Sequence, residues 1–138
     1  MNNFDTTRLE EAIRNLLLTG GVSTSVWTNR PKTVDSSKED FVVVSVSGGT
    51  DDELAYGNSS VFVSLFAKDG SGFKNGKKLS VMYQRLRACM PASLNVTEGQ
   101  EVVSSYEIDT TPVIYPDAAD DYGYHCRIIQ FDITIKVL

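Results

Sequence analysis

Ile129-Gln130-Phe131-Asp132-Ile133-Thr134-Ile135-Lys136-Val137 alternates apolar and polar residues without a miss. A period of two puts Ile129, Phe131, Ile133, Ile135 and Val137 on one face and Gln130, Asp132, Thr134 and Lys136 on the other. Such a strand belongs to a sheet with one face on a core and one face open. At about 3.3 Å per residue it spans roughly 30 Å, long for a strand. The sequence ends one residue later, so the reading makes this terminus part of the structure. A polar face that long meets either water or a partner, and the choice bears on function.

The rest of the chain is read outward from that strand. The stretch before it, Tyr124-His125-Cys126-Arg127-Ile128, has a different phase, and the consecutive Ile128 and Ile129 predict a bulge or bend there. At the other end, Thr7-Arg8-Leu9-Glu10 reads as a capping box with Phe4 as a nearby anchor. Leu9, Ile13, Leu16 and Leu17 follow at helical spacing, and Thr19-Gly20-Gly21 stops the helix, which is expected over 6–19. Val22 to Thr28 alternates and predicts a first strand, closed by Asn29-Arg30-Pro31 and followed by a polar loop to Glu39. Phe41-Val42-Val43-Val44-Ser45-Val46 is the most apolar strand, expected to be central and covered on both faces for part of its length. A Gly- and Asp-rich connection, 48–58, leads to a strand over 60–67, with Val61, Val63, Leu65 and Ala67 on one face and Phe62 and Phe66 on the other. A second helix over 74–89 has the stripe Leu79, Met82, Tyr83, Leu86 and Met90, with Lys77, Lys78, Arg85 and Arg87 outside, and Pro91 closes it. A strand over 102–108 and a loop over 110–121 precede the final strand. The order α-β-β-β-α-β-β predicts an α+β fold: one domain over 1–138, a mostly antiparallel (mixed) sheet with two helices packed on one face.

Bulk properties narrow the function. A chain of 138 residues buries enough surface for a core without disulfides or metal. With 41% hydrophobic and 22% charged residues it is neither disordered nor membrane-like. The net charge of −5 opposes gripping nucleic acid by its phosphates, though it suits a wall past which DNA slides. Cys89 and Cys126 fit no metal spacing and no disulfide framework and read as buried thiols of a reducing compartment. No secretory signal is visible, and no apolar run approaches the about 18 residues of a membrane span.

Little points to catalysis. His125 stands alone in a strand and reads as structural, and its neighbour Cys126 faces the opposite way. Ser47-Gly48-Gly49-Thr50 runs into acidic residues and has no lysine, so it is no phosphate loop. Two acidic clusters, Asp51-Asp52-Glu53 and Asp117, Asp120, Asp121, lack the spacing of a calcium loop and read as solvated or partner-facing. Tyrosines among these acids, Tyr56, Tyr115, Tyr122 and Tyr124, suit either protein contact or cover for the sheet edge.

The order of parts, over nearly the full length, resembles the tail terminator (tail completion, or tail-to-head joining) proteins of long-tailed bacteriophages and prophages. The resemblance rests on the amphipathic helix Arg8 to Leu18, then Trp27-Thr28-Asn29-Arg30-Pro31, Asp40-Phe41-Val42-Val43-Val44-Ser45-Val46-Ser47-Gly48, the acidic loop with Leu54 to Gly57, Ser60 to Ala67, the helix holding Leu79 to Leu86, and the Tyr-x-x-Arg strand from Tyr124. Asn95 to Pro116 lies outside it. The resemblance implies a non-enzymatic virion assembly protein with no catalytic residues, cofactor or metal. It implies a homo-hexameric ring that caps the tail tube and docks to the head–tail connector, in the virion neck and, during assembly, in the host cytoplasm, with no specific nucleic acid and no membrane as partner. A ring needs a heterologous interface, one patch meeting a different patch on the next subunit. The candidate interface residues are Arg30, Asp51, Asp52, Glu53, Tyr56, Arg127, Gln130 and Asp132. Another neck or head-closure component, or a small-molecule-binding α+β domain, is the alternative expectation.

Overall fold

In the computed structural model, residues 6–29, 38–47, 59–70, 73–120 and 122–136 are described. Two helices, α1 (Thr6–Thr19) and α2 (Gly76–Cys89), lie among them. They pack on one face of an eight-stranded sheet built from β1 (Val26–Trp27), β2 (Asp40–Ser47), β3 (Ser59–Lys68), β4 (Ser93–Glu98), β5 (Glu101–Ile108), β6 (Val113–Ile114), β7 (Ala118–Ala119) and β8 (Tyr124–Lys136). The sheet order is β1-β2-β3-β8-β5-β4, with β6 and β7 also pairing β8. Every pairing is antiparallel except β1 with β2. This is the expected α+β arrangement.

The helices form where the apolar spacing places them. Leu9, Ile13 and Leu17 of α1 and Leu79, Met82 and Leu86 of α2 are all buried in one cluster with Val42, Val44, Val61, Val63, Leu65, Ile129, Phe131 and Ile133. The α1 stop is a Schellman turn: Val22 N–H donates to Leu17 O (3.1 Å), Gly21 N–H donates to Leu18 O (3.2 Å), and Gly21 takes φ 71°. Glu10 Oε2 accepts from Val46 N–H (3.0 Å), so α1 satisfies a donor on the outer edge of β2, beyond the reach of β1. Asn75 caps α2, its Oδ1 accepting from Lys78 N–H (3.2 Å).

The two helix ends meet at Gly20. A Cβ there would lie 2.6 Å from Cys89 Cβ and 2.9 Å from its Sγ. Gly20→Ala should therefore force the helices apart and destabilise by about 1–3 kcal/mol in urea unfolding. An unchanged midpoint would show that the helix ends are not in contact. Burial raises the Cys89 thiol above its ordinary pKa, leaving it protonated and unreactive at neutral pH.

The structure corrects five sequence expectations. The first strand is two residues, not seven. Ser23 and Ser25 divert the backbone before it: Ser23 Oγ accepts from Ser25 N–H (3.1 Å) and bonds Asp40. β2 is next to the sheet edge, and the centre belongs to β3 and β8. No bulge interrupts β8 at Ile128 and Ile129, because β3 pairs with it in unbroken register from Ser59↔Ile133 to Lys68↔Tyr124. The phase changes because the covered face changes. At the Tyr124 end the face away from the helices is also packed, by Phe41, Phe66 and Tyr124 with Trp27, Val43 and Cys126 against them. Phe41 stacks on Phe66 (centroids 4.4 Å, 11°) and meets Tyr124 edge-on (5.1 Å, 69°), while Tyr124 OH donates to Lys38 O (2.6 Å).

The irregularity lies on the strand opposite. Pairing runs from Ile108↔Ile133 to Val113↔Gln130 to Ala118↔Cys126, so five steps of one chain oppose three and then four of β8. β5, β6 and β7 are thus one strand line interrupted twice, where a loop over 110–121 was expected. The remaining correction is β4, for which the expected order α-β-β-β-α-β-β has no strand. Its hairpin to β5 turns through Gly99 (φ 64°) and Gln100, and only Val96 of this edge strand is buried.

Candidate functional site

The helices cover one sheet face, leaving the other to be read residue by residue. Cross-strand partners share a face. One row therefore crosses four strands as Ser45, Phe62, Gln130 and Val113. On its two sides run Ser47, Ser60 and Asp132, and Val43, Ser64 and Ile128. Val113 and Ile128 are exposed here, 51% and 36%, on rigid strand backbone rather than on loops.

The polar groups of this face are tied to one another. Gln130 Nε2 donates to Ser60 Oγ (3.0 Å), and Ser60 Oγ donates to Asp132 Oδ1 (2.9 Å). Tyr115 OH donates to Gln130 Oε1, while Tyr115 N–H donates to Ile128 O (3.0 Å). A network of this kind fixes side-chain rotamers before any partner arrives, which lowers the entropy lost on contact. The face sets Val43, Phe62, Val113 and Ile128 among four serines, Gln130 and Asp132.

Of the candidate residues, Gln130 and Asp132 come together on this face. Arg127 points to the helix side. Its Nε and Nη2 donate to Asp117 Oδ1 and Oδ2 (2.7 and 2.9 Å), and Nη1 reaches Ser80 Oγ (3.5 Å). Lys74 Nζ adds a second cation to Asp117 (3.2 Å). The Arg127 hydrogen bonds hold the Asp117 carboxyl below its ordinary pKa, against the opposing effect of burial. This guanidinium thus already has a carboxylate within the chain. Arg30, Asp51, Asp52, Glu53 and Tyr56 lie outside the described residues, as does Asp121.

His125 Nδ1 sits 2.7 Å from Asp69 Oδ1, joining β8 to the turn after β3. Asp120 Oδ1 accepts from Tyr122 N–H (2.7 Å) and Tyr124 N–H (3.2 Å), which closes a turn. Among the described residues no three His, Cys, Asp or Glu side chains gather as a metal site. No described helix is long and apolar enough to cross a membrane.

Sequence reasoning missed Ser60, Val113 and Ile128 as members of the face. The triplet Val113-Ile114-Tyr115 was a readable signal: three consecutive apolar residues in a supposed loop. A basic groove beside α2 was missed as well, since Lys77, Lys78 and Arg85 read as a solvated helix face.

No protein-family model matches the chain, and no curated protein matches it. A solved protein whose name describes no function aligns over 96% of this chain and 93% of its own, with 15% identity and a TM-score of 0.61. At that identity the likeness shows a shared fold.

Proposed function

We propose that this chain is a non-enzymatic virion assembly protein that closes the phage tail tube as a ring member and joins it to the head connector. The observation that carries the reading, beside the resemblance in the order of parts, is the open sheet face around Gln130. It is pre-ordered, it sets apolar side chains among serines and Gln130, and Asp132 is a charge on its flanking row. We assign it the role of seating the subunit on the tube end. The mechanism is steric: a ring seated there stops tube growth and offers the head a new surface. A net charge of −5 lets DNA pass such a ring without adhering.

The test is electron microscopy of purified tail tubes mixed with the protein. Rings at tube ends are expected with the native chain. Ile128→Glu, on the open face, should leave ends bare while the far-UV spectrum and melting stay native. Native protein that ignores tube ends would sink the reading; binding to isolated connectors alone would favour a head-closure role.

A further inference from the structure

Charge is divided along this chain. Residues 74–87 carry Lys74, Lys77, Lys78, Arg85 and Arg87 and no acid, whereas residues 88–126 hold seven acids and no lysine or arginine. The basic block builds α2 and one wall of a groove of about 370 Å³, lined by Val22, Asp40, Lys77, Lys78, Val81 and Arg85 among others. Lys78 Nζ lies 2.9 Å from Asp40 Oδ2. Arg85 Nη1 donates to Gly21 O (3.2 Å), a neutral carbonyl, and Lys77 meets no carboxylate among the described residues. Two cations therefore stay unneutralised beside the apolar Val22 and Val81. The acidic block builds the β4–β5 hairpin, whose tip turns through Gly99 and Gln100 between Glu98 and Glu101. β8 accompanies β5 over Ser105–Ile108, so among the described residues Glu101 to Ser104 pair with β4 alone and the tip projects past the sheet. Glu101 is exposed there, and so is Val102, at 44%.

We infer that the groove receives the hairpin tip, Glu98 to Val102, of a second copy of this chain. A narrow acidic tip with an exposed valine matches a concave site that holds two unneutralised cations and apolar side chains. The chain's own tip does not take that place, since none of residues 98–102 lines the groove. Glu98 is instead bound by Arg8 Nη1 (2.8 Å) in the first turn of α1, whereas Val22 lies beyond the other end of that helix. Arg8 and Thr19 are about 17 Å apart along the helix axis, so α1 holds tip and groove at its opposite ends. Donor and acceptor are thus different patches on one rigid subunit, and such a head-to-tail contact is the kind from which rings close. The inference names the subunit contact of the proposed ring and takes its biological setting from that reading, but the pairing itself is measurable without tubes.

Two full-length variants test it. Lys77→Glu with Arg85→Glu reverses the groove and spares Lys78, whose partner Asp40 belongs to the fold. Gln100→Lys with Glu101→Lys reverses the tip and spares Glu98, which Arg8 holds. Sedimentation velocity at low ionic strength, carried into the millimolar range, should show the native chain associating and the association weakening with salt. Each variant alone should associate at least about tenfold more weakly, with unchanged melting. An equimolar mixture should recover the native behaviour, because each reversed surface then meets its complement on the other variant. If either pair melts below the native chain, Lys77→Glu and Glu101→Lys as single substitutions carry the same comparison. A native chain that stays monomeric throughout, variants that associate as the native chain does, or a mixture that fails to recover would each overturn the inference. A monomeric native chain that binds oligoglutamate would hand the groove to a foreign acidic partner and overturn it as well. Recovered pairing with tubes left uncapped would sink the tail-terminator reading alone. Capped tubes without charge-dependent pairing would sink this inference alone.

Discussion

Ile129→Glu should yield little or no folded protein, whereas Ile128→Glu, one residue away, should fold and melt as the native chain does. Ile129 is 0% exposed and packs under the helices; Ile128 is 36% exposed on the opposite face. An unpaired carboxylate in that core costs several kcal/mol even after it takes up a proton, beyond the lost packing of a buried isoleucine at about 2–5 kcal/mol. A domain of this size has roughly 7–20 kcal/mol in total, so the variant loses a large share of it or all of it. Circular dichroism and soluble yield of the two proteins, expressed in parallel, check the contrast. Equal behaviour would mean that β8 does not hold the register against β3 on which the face assignment rests.

That pair also shows where the sequence was and was not legible. Strict alternation identified the core face correctly at Ile129, Phe131 and Ile133, because one covered face imposes a period of two. The change of phase before Ile129 was read as a bulge, because periodicity reports which residues are buried and not how many faces are covered. With Phe41, Phe66 and Tyr124 packed on the second face, burial crosses the sheet while the backbone register continues. Edge strands were the least legible. β4 buries Val96 and little else, so Ser93 to Glu98 carries almost no hydrophobic period. β6 and β7 are two residues each, below the length at which alternation exists as a pattern.

The open face was half legible. Gln130 and Asp132 followed from alternation alone. Their partners did not, since Ser60 lies 70 residues from Gln130 in sequence and reaches it only through the β3–β8 pairing. Arg127 stood out as a charge in an apolar strand, and the reading assigned it outward. Only the fold brings Asp117, on the interrupted strand line beside β8, to its guanidinium. The groove cations illustrate the converse limit. Lys77, Lys78 and Arg85 look like an ordinary solvated helix face until Asp40 and Val22 are seen to form the opposite wall.

Arg127→Met should cost about 2 kcal/mol at neutral pH and should loosen the candidate interface as well as the fold. The Arg127 and Asp117 side chains are 17% and 10% exposed, so the pair lies between a surface bridge and an enclosed one, and its loss falls between those limits. Its pH dependence has a definite sign. Asp117 is held below its ordinary value of 3.8, first by the Arg127 hydrogen bonds. The stabilisation is therefore fully present above that ordinary value and is lost as pH falls through the lower folded one. Urea unfolding of native and variant proteins should differ at neutral pH and converge in acid below the folded pKa of Asp117. The same pair pins residues 115–119 against β8, and with them Tyr115, whose N–H is bonded to Ile128 O and whose hydroxyl is bonded to Gln130. Amide exchange at Tyr115 should accordingly quicken in Arg127→Met by more than at Val63, whose strand is held between β2 and β8. Uniform acceleration at both sites would show that the ion pair supports the domain as a whole and does not specifically brace the open face.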